Sequence, residues 1–118
     1  MIVKIPYSFT TLNQYINAER SNRFNGAKIK RDDTELARLH FIGKKIKTPC
    51  RVHFEWHVKD MRTDPDNISS FGTKVILDGA VKAKALPDDS IKHIKGFTHE
   101  FVKDDFVGVV IRFEYMGD

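Results

Sequence analysis

The chain has 118 residues, a formal net charge of +4, 41% hydrophobic residues and 31% charged residues. This length suits one domain, and the composition excludes a disordered or low-complexity chain. No apolar run approaches the ~20 residues that a membrane span needs, so we expect no membrane partner. The first ten residues lack a signal-peptide layout, and the single cysteine cannot form an internal disulfide. We therefore expect a single cytoplasmic domain.

Charge is distributed unevenly along the chain. Residues 1–50 carry ten Lys and Arg against four Asp and Glu, whereas residues 51–118 carry ten against twelve. A basic half is typical of a surface that binds a polyanion such as nucleic acid. The same composition also occurs on an ordinary solvated helix surface, so charge alone leaves both interpretations open.

The first half predicts a strand followed by a helix. Residues 2–5 are rich in β-branched side chains and indicate an opening strand. Thr10 or Thr11 can cap a first helix, which we expect to fray near Ser21.

A second helix is predicted between Asn25-Gly26 and Gly43. Its expected outer positions are Thr34, Glu35 and Arg38, and its expected inner positions are Leu36, Leu39, Phe41 and Ile42.

The second half predicts a sheet with one more helix. From Arg51 apolar and polar side chains alternate, with Val52, Phe54, Trp56 and Val58 on one face. Residues 97–102 and 106–115 are also extended, and we predict that they pair as a C-terminal hairpin.

The helix predicted over residues 67–82 has apolar side chains on two faces. Leu77 and Val81 lie opposite the main apolar arc, so we expect one face to meet the sheet and the other to meet a second subunit. The fold class is therefore α+β, a small single domain with helices and a mixed or antiparallel sheet.

The segment Arg62-Thr63-Asp64-Pro65-Asp66-Asn67 lies between a predicted strand and a predicted helix. Two carboxylates this close repel each other unless a cation neutralises them, and oxygen ligands of this kind suit Mg²⁺ or Mn²⁺. The alternative is that Asp66 or Asn67 only caps the helix and Asp64 belongs to a turn.

Three further groups are candidates for chemistry. Asp88-Asp89 can supply another carboxylate, although a polar turn has the same composition. Lys74 can contact a phosphate, or can form an ordinary surface pair with Asp78 four residues on. His53, Glu55 and His57 alternate on one strand, where a solvated face explains them better than a metal site.

These motifs together resemble the RusA family of Holliday-junction resolvases. The resemblance rests on Arg62-x-Asp64-Pro65-Asp66-Asn67, then Lys74 and Asp78-Gly79-Ala80, then Leu86-Pro87-Asp88-Asp89. It covers nearly the whole chain, and Asp-x-Asp-Asn is its specific part. In the usual pattern the lysine follows the second Asp by one helical turn, and Ser70 holds that position here.

The resemblance implies a small homodimeric endonuclease, often encoded by a phage or prophage, that uses Mg²⁺ to nick opposed strands of four-way DNA junctions in recombination and repair. It implies that Asp64, Asp66 and Asp89 are catalytic metal-binding carboxylates and that Lys74 is the catalytic lysine, with Asp88 an alternative to Asp89. A non-catalytic nucleic-acid-binding module and a protein-interaction domain that uses Leu77 and Val81 are the competing hypotheses. The expected DNA-binding residues are Lys28, Lys30, Arg31, Lys44, Lys45, Lys47 and Arg62.

Overall fold

The computed structural model describes residues 1–117, which form an α+β domain with three helices and one four-stranded mixed sheet. None of the helices in this range is long and apolar enough to cross a membrane. The α+β class predicted from the sequence is confirmed. The elements in chain order are β1 (Ile2–Ile5), α1 (Leu12–Ser21), α2 (Arg23–Phe41), β2 (Cys50–Val58), α3 (Pro65–Lys82), β3 (Ile94–Lys103) and β4 (Gly108–Tyr115).

The strand order is β1-β4-β2-β3, so the predicted C-terminal hairpin is wrong. Strand β2 lies between β3 and β4, parallel to β3 and antiparallel to β4. The short connection from β3 to β4 passes the end of β2, where the Asp104 backbone N–H donates to the Val58 carbonyl over 3.1 Å. This insertion gives β2 a neighbour on both sides, which local sequence spacing cannot reveal.

Strand β2 has the alternation predicted for it. Val52, Phe54 and Trp56 are at most 4% exposed and face the helices. The opposite face of the sheet, which includes His53 and Glu55, is not covered by any helix of residues 1–117. The core therefore lies on one side of the sheet only.

Helix α1 begins where the sequence predicts. Thr11 is its N-cap: the Thr11 hydroxyl accepts from the Gln14 N–H, and the Gln14 side chain accepts from the Thr11 N–H. This capping box satisfies two backbone donors at once. The Tyr15 ring stacks on Phe71 of α3 at 4.5 Å between centroids, which joins the two helices.

Helix α2 begins earlier than predicted, at Arg23, because the side chain of Asn22 caps it by accepting from the Phe24 N–H at 2.8 Å. Asn25-Gly26 therefore lies inside the helix. Gly26 packs directly on Glu19 of α1, and a side chain there would collide with it.

The buried stripe of α2 also differs from the prediction. Thr34, expected outside, is 3% exposed, whereas Leu39 and Ile42, expected inside, are 52% and 56% exposed. Apart from Phe41, the buried positions are small or polar, because α2 lies close against α3: a Cβ on Gly79 would lie 2.7 Å from that of Ala37. Close packing of backbones therefore decides which side of α2 faces the core.

Helix α3 is apolar on two faces, as predicted, but both are covered within the chain. Leu77 is 4% exposed and Val81 packs against the core. The prediction that this second face meets a partner subunit is wrong, because helix α2 already packs along α3.

Candidate active site

Two carboxylates lie at the junction of β2 and α3. Asp64 is at the N-cap position, Pro65 is the first helical residue and Asp66 is in the first turn. Both aspartates are exposed, and Asp64 makes no side-chain capping bond. Neither carboxylate forms a hydrogen bond or ion pair within residues 1–117. Neither Asp64 nor Asp66 is therefore held in place by a side-chain capping bond to the helix.

The start of α3 is instead fixed by Asn67. Its side-chain oxygen accepts from the Asn13 backbone N–H at 2.8 Å, which ties the first turn of α3 to the first turn of α1. The proline ring presets the helical backbone at its first position. Neighbouring groups thus hold the backbone that carries Asp64 and Asp66, while both carboxylates face solvent.

Lys74 lies two helical turns beyond Asp66 on the exposed side of α3. Its Nζ is 3.1 Å from an Asp78 oxygen and 3.5 Å from an Asp89 oxygen. These contacts raise the pKa of Lys74, and the hydrogen bond to Asp78 is the larger cause. The surface ion pair of Lys74 with Asp78 that the spacing indicated is present, and Asp89 is an additional partner.

Asp89 reaches Lys74 because the chain reverses after α3. The Ala85 and Leu86 N–H groups both donate to the Ala80 carbonyl, and Lys84 adopts a left-handed conformation with φ 62°. The segment that follows then runs back along the helix. Asp89 is half-buried against Lys74, whereas Asp88 is exposed.

The three predicted metal-binding carboxylates do not form one cluster. Asp66 and Lys74 are about 12 Å apart along the helix axis at ~1.5 Å per residue. Among residues 1–117 no group of three His, Cys, Asp or Glu side chains is arranged to hold a metal ion. Asp64 and Asp66 alone still fit Mg²⁺, which commonly takes one or two carboxylates and completes its shell with water and phosphate oxygens.

No protein-family model matches the sequence. No curated protein resembles it significantly either.

The predicted DNA-binding residues fall into two kinds. Lys30, Arg31 and Lys47 are exposed, and none of them forms an ion pair within residues 1–117. The others have protein partners or are less exposed: Lys28 pairs with Asp32 at 2.8 Å, Lys45 donates to the Lys84 carbonyl at 3.0 Å, Arg62 pairs with Asp60 at 2.9 Å, and Lys44 is half-buried.

Arg62 is the basic residue nearest in sequence to the acid pair. Its guanidinium and backbone N–H both donate to Asp60, which lowers the pKa of that carboxyl to about 2. Asp60 therefore stays ionised and already engages Arg62, so a phosphate has to compete with it for the guanidinium.

The basic group 44–47 and the acid pair lie at opposite ends of β2. Nine residues of strand span about 30 Å at ~3.3 Å each. The two sets therefore cannot meet the same phosphate.

The histidines on the uncovered face of β2 are engaged by carboxylates and not arranged as metal ligands. His57 lies between Glu55 at 2.6 Å and Asp104 at 3.1 Å. His53 is 2.7 Å from Glu114. The sequence showed that His53, Glu55 and His57 share a face, but the partners from β4 and the loop before it depend on strand order.

Sequence reasoning missed a set of stacked rings on the other face. Phe97 and His99 of β3 lie beside Phe54 of β2. The available signal was that residues 97, 99 and 101 alternate with polar residues, as those of β2 do.

Proposed function

We propose that this protein is a Mg²⁺-dependent endonuclease that resolves four-way DNA junctions by paired nicks. One observation carries the proposal: Asp64 and Asp66 are exposed carboxylates two positions apart at a well-fixed helix start, and neither has a partner within residues 1–117. Adjacent unpaired charges of one sign are unfavourable unless a cation joins them. Because the surrounding motif resembles that of RusA resolvases, four-way DNA junctions are the proposed substrate at this cation site.

Asp64 and Asp66 bind Mg²⁺, for which Mn²⁺ can substitute. A metal ion held by these two carboxylates would supply activation of water and neutralisation of charge on a phosphodiester. The positive end of the α3 dipole adjoins the same point and favours a phosphate next to the carboxylates.

Lys74 supplies the cation further along the exposed side of α3, where it meets the charge of the DNA backbone. Asp89 and Asp78 hold its ammonium group from two sides. In this proposal Asp89 acts through Lys74, and the Mg²⁺ ligands within one chain are Asp64 and Asp66.

Branched DNA is the proposed partner and a homodimer the proposed active form. A four-way junction has symmetry-related strands, and a two-fold dimer offers two equivalent sites to cut them. The exposed Lys30, Arg31 and Lys47 add contacts to phosphates, which give affinity without reading sequence.

The test is cleavage of a synthetic four-way junction with Mg²⁺ by the wild-type protein and by Asp66→Asn. We expect paired nicks from the wild type. Asp66→Asn should lose cleavage while binding the junction as tightly or more tightly, because a negative charge facing phosphate is removed. Asp105→Asn, an exposed aspartate between β3 and β4, is the matched control and should cleave normally.

The competing function is a nucleic-acid-binding module without catalysis. It is favoured by the finding that residues 1–117 hold no group of three potential metal ligands. Binding that persists in EDTA, with no nicking under Mg²⁺ or Mn²⁺, would establish the module in place of the nuclease.

A further inference from the structure

A row of aromatic rings crosses from β2 to β3 on the helix side of the sheet. Phe54 stacks on Trp56 with the ring planes 9° apart, and His99 stacks on Phe54 at 5.1 Å with planes 15° apart. Phe97 adjoins both His99 and Phe54 at 6.2 and 6.1 Å. Four rings thus form one continuous cluster, of which the β2 members are buried.

The β3 half of this row is open to solvent. Phe54 and Trp56 are 2% and 4% exposed, whereas Phe97 is 46% exposed and His99 is also exposed. Strand β3 is an edge strand, and helix α2 contacts β1 at the opposite edge of the sheet. The fold therefore leaves Phe97 and His99 as an aromatic ledge beside the core.

His99 is fixed as a neutral ring on this ledge. The Trp56 indole N–H donates to His99 Nδ1 at 3.0 Å, so Nδ1 carries no proton and Nε2 is left as the donor. Partial burial of the His99 ring lowers its pKa by desolvation, which favours the same neutral form. The ledge thus presents an imidazole ring of fixed orientation with one N–H donor.

The ledge runs toward the acid pair. Strands β2 and β3 are parallel, so Lys103 lies beside Val58 at the end of the sheet from which the chain leads to Asp64. Phe101, the next residue on the same face of β3, lines a cavity of about 130 Å³ with Thr63 and Pro65. These two residues flank Asp64 in the sequence.

Charge around the ledge suits a phosphate backbone. Lys92, Lys95 and Lys103 are exposed on β3 and the turn before it, with Glu100 on the same strand and Asp104 and Asp105 directly after Lys103. Flat exposed rings flanked by basic side chains are the combination with which proteins bind unpaired nucleotides. If β3 instead paired edge to edge with β3 of a second copy, the lysines of the two copies would meet at that edge and repel each other.

We infer that Phe97 and His99 form a stacking platform for an unpaired base of the DNA strand that leads into the site of Asp64 and Asp66. This inference rests on the proposed function for its partner, DNA, and adds where an unpaired base is held. Phe97 provides the open ring, and His99 continues the surface toward the core and offers its Nε2–H to a base acceptor.

The experiment compares an eight-residue oligo-dT strand with an abasic strand of equal length, both in EDTA so that cleavage plays no part. Trp56 is the only tryptophan and stacks near His99 at 6.1 Å, so its fluorescence reports on the ledge. We expect oligo-dT to change Trp56 emission and to bind at least tenfold more tightly than the abasic strand, as loss of base stacking predicts.

Phe97→Leu keeps an apolar side chain but removes the ring, and it should weaken oligo-dT binding about tenfold while leaving abasic binding unchanged. Phe97→Tyr should retain wild-type affinity. Phe24→Leu, at an exposed phenylalanine of α2, is the matched control and should have no effect. Circular dichroism establishes that each variant is folded.

Equal binding of oligo-dT by Phe97→Leu and the wild type would overturn the inference. So would sedimentation in which Phe97→Leu turns a dimer into a monomer, because the ledge would then belong to a second copy of the chain. Base-dependent binding without junction cleavage would reject the nuclease and keep the platform. Junction cleavage by the wild type, with unchanged oligo-dT binding by Phe97→Leu, would keep the nuclease and reject the platform.

Discussion

At the scale of single residues, Lys74 joins two parts of the chain that are otherwise separate. Its ammonium group bridges Asp78 on its own helix and Asp89 on the returning segment. An exposed pair at this helical spacing contributes only ~0.3–0.5 kcal/mol to stability. The ion pairs of Lys74 therefore contribute little to stability. Their more important effect is to hold the positive charge at a fixed position on the surface of α3.

We predict that Lys74→Ala lowers the single-turnover rate of junction cleavage about 100-fold, because a preorganised positive charge that places the DNA backbone relative to Asp64 and Asp66 is lost. Junction affinity should change little. Lys82→Ala, at an exposed lysine in the last turn of α3, is the control for loss of one charge from the same helix. An unchanged rate for Lys74→Ala would reduce Lys74 to a surface ion pair.

Tyr7 and Asp33 give a second residue-scale prediction. The Tyr7 hydroxyl donates to the buried Asp33 carboxyl at 2.9 Å, and the Thr10 N–H donates to its other oxygen. Burial first, and then the bond to Asp33, raises the pKa of Tyr7 to about 12. Because the folded pKa exceeds the unfolded value of 10, this stabilisation is complete below pH 10 and is lost as the pH rises to 12.

Tyr7→Phe should therefore lower the free energy of unfolding by ~1 kcal/mol at pH 7, through loss of one hydrogen bond. The difference between the two proteins should shrink between pH 10 and 12, as followed by urea unfolding at each pH. A difference that stays constant through this range would contradict the assignment.

At the scale of elements, the contact between α2 and α3 depends on a single glycine. A Cβ at Gly79 would lie 2.7 Å from the Ala37 Cβ and the Arg38 nitrogen and 2.9 Å from the Thr34 carbonyl. Two of these atoms are backbone, so no side chain can rotate away. The close crossing of the helices accounts for the small and polar residues on the buried side of α2.

We predict that Gly79→Ala destabilises the protein by ~1–3 kcal/mol, because the cost of overpacking exceeds the ~1 kcal/mol that alanine gains in helix propensity. Thermal unfolding measures the difference. Gly96→Ala is the control, since its Cβ would meet no atom within 4 Å. Equal stability of Gly79→Ala and the wild type would mean that the two helices pack less closely.

At the scale of the whole molecule, the arrangement of the site within one chain bears on how a dimer would work. Asp89 is held by Lys74 of its own chain, about 12 Å along α3 from Asp66. The second apolar face of α3 is covered by the same chain, so it does not call for an antiparallel partner helix. These contacts favour two separate sites, each built from one subunit.

We therefore expect a mixture of Asp66→Asn and Asp89→Asn subunits to remain inactive on four-way junctions, because every site in the mixed dimer lacks one residue. Sedimentation should show that the wild-type protein is a dimer. Cleavage regained on mixing would mean that Asp89 of one subunit serves the acid pair of the other.

The sequence by itself determined the elements and the position of the acid pair. Strand β1, helix α1 and the alternation of β2 follow from side chains within a few residues of one another, which is the range over which capping and periodicity act. The same local spacing placed Asp64 and Asp66 at the start of α3. Lys74 and Asp88-Asp89 were also recognised from the sequence, but the contact between Lys74 and Asp89 was not.

Only the tertiary structure decided which elements are neighbours. The insertion of β2 between β3 and β4, the burial of Thr34 instead of Leu39, and the meeting of Lys74 with Asp89 each depend on contacts between separate segments. The stacking of Phe54 on His99 joins residues 45 positions apart and exists because β2 and β3 pair in parallel. Such contacts follow from the fit of whole surfaces, which no local pattern encodes.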